Sequence, residues 1–167
     1  LYFTKALKIN PQKADARINL ANVLFMQGKY DEAVFHYNEI LKIYPENADA
    51  HYNLANVLAS QVKLDEAVSH FKEALRINPE YSKAHYNLGT ILLNQGKIKE
   101  AVTHFFKAIQ FKPDYVLAYN KLGVILFQQK KYSKAKVFFL NALQIDPNNS
   151  EARKNLNMLN QTLPSSG

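Results

Sequence analysis

Prolines stand at positions 11, 45, 79, 113 and 147, each thirty-four residues after the one before. Pro makes up about 5% of ordinary sequence, so four further coincidences have odds on the order of one in 10⁵. Other columns keep the same step. Leu20, Leu54, Leu88, Leu122 and Leu156 form one, and Ala16, Ala50, Ala84, Ala118 and Ala152 form a second. Ala33, Ala67, Ala101 and Ala135 form a third. Tyr37, Phe71, Phe105 and Phe139 form a fourth, with Phe3 one step earlier. A fixed period of this length implies a solenoid, in which each unit buries its apolar face against its neighbours.

Each period reads as two helices. Over 48–60, Ala50, Leu54, Val57 and Leu58 follow the i, i+4, i+7, i+8 stripe of an amphipathic helix, and over 65–77 Ala67, Val68, Phe71, Ala74, Leu75 and Ile77 do the same. Short turns such as "QGKY" and "QGKI" separate them, with Gly28 and Gly96 suited to a left-handed helix end. Asp31, Asp65 and Ser133 fall where a second helix would be capped or would favour its positive end. The proline stops the second helix. The chain is thus expected to be all-α, and 167 residues suffice for a substantial core.

At these offsets the order Leu, small residue, Ala, aromatic, Ala, Pro resembles the tetratricopeptide repeat (TPR) family. The resemblance implies a right-handed α-solenoid with a single array over 1–160. Full repeats are expected at 14–47, 48–81, 82–115 and 116–149. Residues 1–13 read as the second helix of a truncated repeat, 150–160 as a terminal capping helix and 161–167 as a flexible tail. The family's usual Trp is replaced by Arg17, His51, His85, Tyr119 and Arg153, and its usual Gly is Ala21, Ala55 and, in the last helix, Asn157.

The resemblance also implies that first helices line a concave groove. Three columns are then expected to face it. The sixth positions are Asn19, Asn53, Asn87, Lys121 and Asn155. The ninth are Asn22, Asn56, Thr90, Val124 and Met158, and the fifth are Ile18, Tyr52, Tyr86, Asn120 and Lys154. Asn is a poor helix-interior residue, so repeated mid-helix amides call for a reason. A primary amide offers two donors and an acceptor and so can pair with both polar groups of a peptide unit. Helical layers about 8–10 Å apart would meet roughly every third residue of an extended chain. The column resembles the asparagine ladder of the O-GlcNAc transferase TPR domain. The expected function is therefore a protein–protein interaction scaffold holding an extended peptide. The expected peptide-binding residues are Asn19, Asn22, Tyr52, Asn53, Asn56, Lys83, Tyr86, Asn87, Lys121 and Asn155. Lys83 enters through a partial match to the carboxylate clamp of chaperone-binding TPR domains. Asn22, Asn53 and Lys83 fit that clamp, but Ile18 and Asn87 replace its outer cations.

Alternatives are a substrate-recruiting part of a larger enzyme, such as a glycosyltransferase, and a self-associating module whose end faces dock on another copy. The chain starts at Leu1 without a methionine, which suggests a fragment. No catalytic residue, metal site or cofactor is expected. There is no cysteine, no phosphate-cradling glycine loop and no H-E-x-x-H. The five histidines fall in two columns, His51 and His85, then His36, His70 and His104, whose members lie a layer apart. No apolar run spans a bilayer, so a soluble domain is expected, with a cytoplasmic setting favoured. The net charge of +7 lies wholly in 84–167, where eleven basic residues face four acidic ones. Nucleic acid is nonetheless disfavoured, because most aromatics occupy core columns and cannot stack on bases. Lys130, Lys131, Lys134 and Lys136 cluster at one turn and read as a solvated face.

Overall fold

A computed structural model describes residues 14–162. Among these the chain forms helices in an unbroken series of hairpins, without strands. They are α1 (Ala14–Met26), α2 (Tyr30–Ile43), α3 (Ala48–Ser60), α4 (Leu64–Ile77), α5 (Ser82–Asn94), α6 (Ile98–Phe111), α7 (Val116–Gln128), α8 (Tyr132–Ile145) and α9 (Ser150–Thr162). Odd helices are thirteen residues long and even ones fourteen. Residues 1–13, including Phe3, expected as the second helix of a truncated repeat, lie outside the described residues. One boundary is corrected. Gln161 and Thr162, expected in the tail, remain helical. The Thr162 hydroxyl returns to the carbonyls of Met158 and Leu159 and holds this last turn.

The turn inside each hairpin is the same motif four times. The N–H groups of Lys29, Lys63, Lys97 and Lys131 reach back to the carbonyls of Leu24, Leu58, Leu92 and Leu126, each at 2.9 Å. This closure needs a left-handed residue just before the lysine. Gly28 and Gly96 supply it at φ +75°, but Val62 (+63°) and Lys130 (+59°) occupy the same place with a side chain. The lysines, not the acidic residues, stand at the N-caps of the even helices and donate no side-chain cap. Asp31 and Asp65 sit in the first turn, where they complement the dipole. Entry to the odd helices differs. Asn47 and Asn149 cap α3 and α9 by accepting from Ala50 N and Ala152 N, whereas Tyr81 and Tyr115 hold the equivalent positions without capping.

The core follows the columns. Tyr37, Phe71, Phe105 and Phe139 are fully buried, as are the described alanines at 33, 67, 101 and 135 and at 50, 84, 118 and 152. Burying each aromatic contributes about 1.5–3 kcal/mol. Consecutive helices pack throughout the series, and odd helices also touch odd helices (α1 with α3, α7 with α9). Among the described residues no even pair makes comparable contact. No described helix is long and apolar enough to cross a membrane.

Candidate functional site

The sixth and ninth positions of the odd helices are the ones expected to face the groove. Asn19 on α1 is exposed, while Asn53 on α3 is half-buried. Neither side chain has a hydrogen-bond partner among the described residues. Asn87 on α5 donates from Nδ2 to Asn56 Oδ1 at 2.7 Å and lies 3.4 Å from the Tyr52 hydroxyl. The amides of α3 and α5 are thus coupled across layers. Asn22 is engaged too, because the buried Tyr37 hydroxyl donates to its Oδ1. In the sister repeats the residue at that place is Phe, which needs no acceptor. Burial holds the Tyr37 phenol well above its usual range.

Tyr52 and Tyr86 form the floor. Tyr52 packs on Tyr81 with ring centroids 4.7 Å apart, and Tyr86 packs on Tyr115 at 5.2 Å. The Tyr81 hydroxyl donates to Asp49 at 2.7 Å. Burial, then this carboxylate, pushes the Tyr81 phenol up, and burial pushes Tyr115 up to about 12. Tyr81 and Tyr115 therefore stay neutral at ordinary pH. A cavity of about 440 Å³ opens between α3 and α5, lined among others by Phe25, Tyr52, Asn56, Phe71, Tyr86 and Asn87. Its lining combines aromatic rings with the Asn56 and Asn87 amides.

The face changes toward α9. Lys83 is exposed and Lys121 half-buried. Asn155 lines a smaller cavity of about 210 Å³ with Val124, Phe127, Gln128, Phe139 and Met158. Its Nδ2 is buried without a partner. Asn120 departs from the expectation that it faces the groove. It is fully buried, and its Nδ2 donates to Asn149 Oδ1 at 3.1 Å. Asn120 and Asn149 occupy the positions that Tyr52–Tyr81 and Tyr86–Tyr115 fill elsewhere, so a short amide pair replaces a ring pair.

One constellation was not foreseen. His51 Nδ1 lies 2.9 Å from His70 Nδ1, and His85 Nδ1 lies 2.9 Å from His104 Nδ1. Column mates are a layer apart, but members of different columns meet within a hairpin. The tautomers follow from the carbonyls of Pro45 and Pro79, each 3.0 Å from the Nε2 of His51 and His85. A carbonyl only accepts, so Nε2–H donates and Nδ1 accepts from the partner ring. Burial first, then the facing imidazole, holds His70 and His104 below the usual range, His104 at about 4. No cluster of three or more metal-ligating side chains occurs among the described residues. The signal was present as a shared offset of nineteen residues.

Family models match along the chain. That for the anaphase-promoting complex, cyclosome, subunit 3 matches residues 1–74 and 26–108. A TPR repeat model matches 89–130, and the tetratricopeptide repeat model matches 116–149. No curated protein sequence matches. Solved structures do. YrrB, described as a TPR protein with an unusual peptide-binding site, is 27% identical, with 95% of this chain and 82% of that one covered and a TM-score of 0.78. Pseudomonas aeruginosa PilF is 26% identical over 87% and 67% of the two chains, with a TM-score of 0.80. MamA 41-end from Desulfovibrio magneticus RS-1 is 22% identical over 89% and 84%, with a TM-score of 0.77, a likeness of fold.

Proposed function

The chain belongs to the tetratricopeptide repeat family, and we propose that it binds an extended peptide along the face where its odd-numbered helices meet. The observation that carries this reading is the pair of amides at Asn19 and Asn53. Neither has a partner among the described residues, and Asn56 and Asn87 of the same two columns line the tyrosine-floored cavity. Asn87, tied to Asn56 through its Nδ2, keeps its carbonyl oxygen for a peptide N–H. Lys83, Lys121 and Asn155 extend the track. The Tyr52 and Tyr86 floor accepts an apolar side chain. The likeness to YrrB, with its peptide-binding site, supports a peptide as the ligand class. Main-chain pairing makes the groove tolerant of peptide sequence, and the reading assigns no catalytic step to this chain.

Each amide contact contributes about 0.5–1.5 kcal/mol. The Asn19→Ala/Asn53→Ala variant is therefore expected to weaken peptides selected on an array by roughly tenfold or more. Helicity should be unchanged by circular dichroism, since neither amide supports the described fold. Full affinity in a helical double variant would remove the amides from the mechanism.

A further inference from the structure

A second concavity lies away from the amide face. Val124 of α7 lines the cavity with Asn155, while Leu122, Ile125 and Leu126, continued by Gln129 just past the helix end, form another stripe at i, i+3, i+4, i+7. This stripe, with Val102 and Phe106 of α6, lines an apolar slot of about 390 Å³. Lys99 and Lys131 stand at its rim. The slot depends on residues that earlier repeats lack. Phe106, 49% exposed, occupies the place of Asn38 and Lys72. Leu126 is only half-buried where Leu58 and Leu92 are buried.

The surroundings carry one sign of charge. Between 97 and 145 the sequence holds nine lysines and two carboxylates, Glu100 and Asp114. Among the described residues no ion pair engages Lys97, Lys99, Lys130, Lys131 or Lys134. The Lys131 ammonium donates only to Gln129 among the described residues. A further cavity of about 380 Å³ shares Lys131 and is walled by Lys130, Tyr132, Ser133 and Lys134. Lys130 takes the left-handed conformation that Gly28 and Gly96 adopt without a side chain. That costs about 1–2 kcal/mol, a cost that Val62 bears at the same place in its own hairpin.

We propose that the slot and its lysine shelf are a second binding surface, which takes an acidic peptide segment carrying a large apolar side chain. The apolar residue enters between Val102, Phe106, Leu122 and Leu126. Flanking carboxylates pair with Lys99 and Lys131, with Lys130 and Lys134 extending the contact. An apolar slot alone would accept many occupants, but the unpaired lysines select an anionic one. The surface is independent of the amide groove, so the chain can hold two segments at once.

The test uses a fluorescein-labelled peptide of two phenylalanines flanked on each side by three glutamates, read by anisotropy against the whole chain. Saturable binding that weakens several-fold between 50 and 300 mM salt is expected. Lys99→Glu/Lys131→Glu should weaken it at least about tenfold. Phe106→Lys should weaken it about fivefold, and it introduces the residue type already carried at position 72, so the fold tolerates it. Asn19→Ala/Asn53→Ala should leave it unchanged. Circular dichroism confirms that each variant is helical. Four outcomes overturn the proposal: no saturable binding, equal affinity for a peptide with serines in place of the phenylalanines, insensitivity to the double charge reversal, or loss in the amide variant. Displacement by single-stranded RNA more readily than by unlabelled peptide would assign the shelf to nucleic acid and likewise overturn it.

Discussion

The first two hairpins and the last two solve one packing problem with different residues. In the first pair, Ala21 and Ala55 follow the column leucine, opposite Tyr37 and Phe71. In the second pair the residue is Gly89 or Gly123, and the facing ring has moved into the space left free. A methyl group added at Gly123 would lie 2.4 Å from Phe139 Cε1, and one at Gly89 would lie 3.0 Å from Phe105 Cε1. A column that is uniform in sequence is therefore not uniform in packing. Each ring settles against the residue its own hairpin supplies.

The sharpest way to break this contrast is Gly123→Ala. Helix propensity favours the change by about 1 kcal/mol, but overpacking a filled core costs about 1–3 kcal/mol. Phe139 is fully buried and cannot yield into solvent. A net loss of about 1 kcal/mol is expected in urea unfolding. Gly89→Ala, with its wider clearance, should cost about half as much. Equal effects at the two sites, or stabilisation at both, would mean that the rings relax freely and that the contrast carries no energy.

A second contrast tests whether Asn120 and Asn149 act as a unit. Asn120→Tyr alone forces a ring against an amide and should cost about 2 kcal/mol. Asn149→Tyr alone removes the α9 cap, about 1 kcal/mol, and leaves the Asn120 amide unpaired inside. The double variant restores the ring pair of the earlier repeats, worth about 0.5–1.5 kcal/mol. The double-mutant cycle should thus show a favourable coupling of about 1 kcal/mol. Additive costs would show that the two positions are independent.

These pairs mark where the sequence was legible. A period of thirty-four residues aligns like positions in successive layers, so it reveals the helices, the buried columns and the side of the helix that bears Asn19 and Asn53. It is silent on which unlike positions meet, because that depends on how each hairpin closes and how far each helix turns about its axis. Asn22 was read as a groove residue, yet its oxygen serves Tyr37, and Asn56 serves Asn87. Asn120 shares a column with Tyr52 and Tyr86, yet it is sealed in the core. The missing information lay in substitutions that travel together. At an offset of nineteen, His51–His70, His85–His104 and Tyr119–Phe138 change as pairs. At an offset of twenty-nine, Tyr52–Tyr81, Tyr86–Tyr115 and Asn120–Asn149 do so. Phe106, and with it the apolar slot, escaped notice because one departure within an exposed column leaves the period intact.

The histidine pairs give the smallest effect and the most selective probe. His104 stands near 4 in the folded chain, held down by burial, then by His85, Lys107 and Lys72. Its unfolded value is about 6.5. Above pH 6.5 both states are neutral and stability is fully present. Between 6.5 and about 4 the unfolded chain takes up a proton that the folded chain refuses, so stability falls as pH falls. His70 acts in the same sense, with Glu66 and Glu73 opposing the shift. Lowering the pH from 7.5 to 5 should therefore lower Tm by about 5 °C. The variant His85→Tyr/His104→Phe copies the Tyr119–Phe138 pair of the fourth repeat and removes the titrating groups while keeping the packing. Its Tm should lose about half of that pH dependence. An unchanged slope would show that the acid sensitivity arises elsewhere.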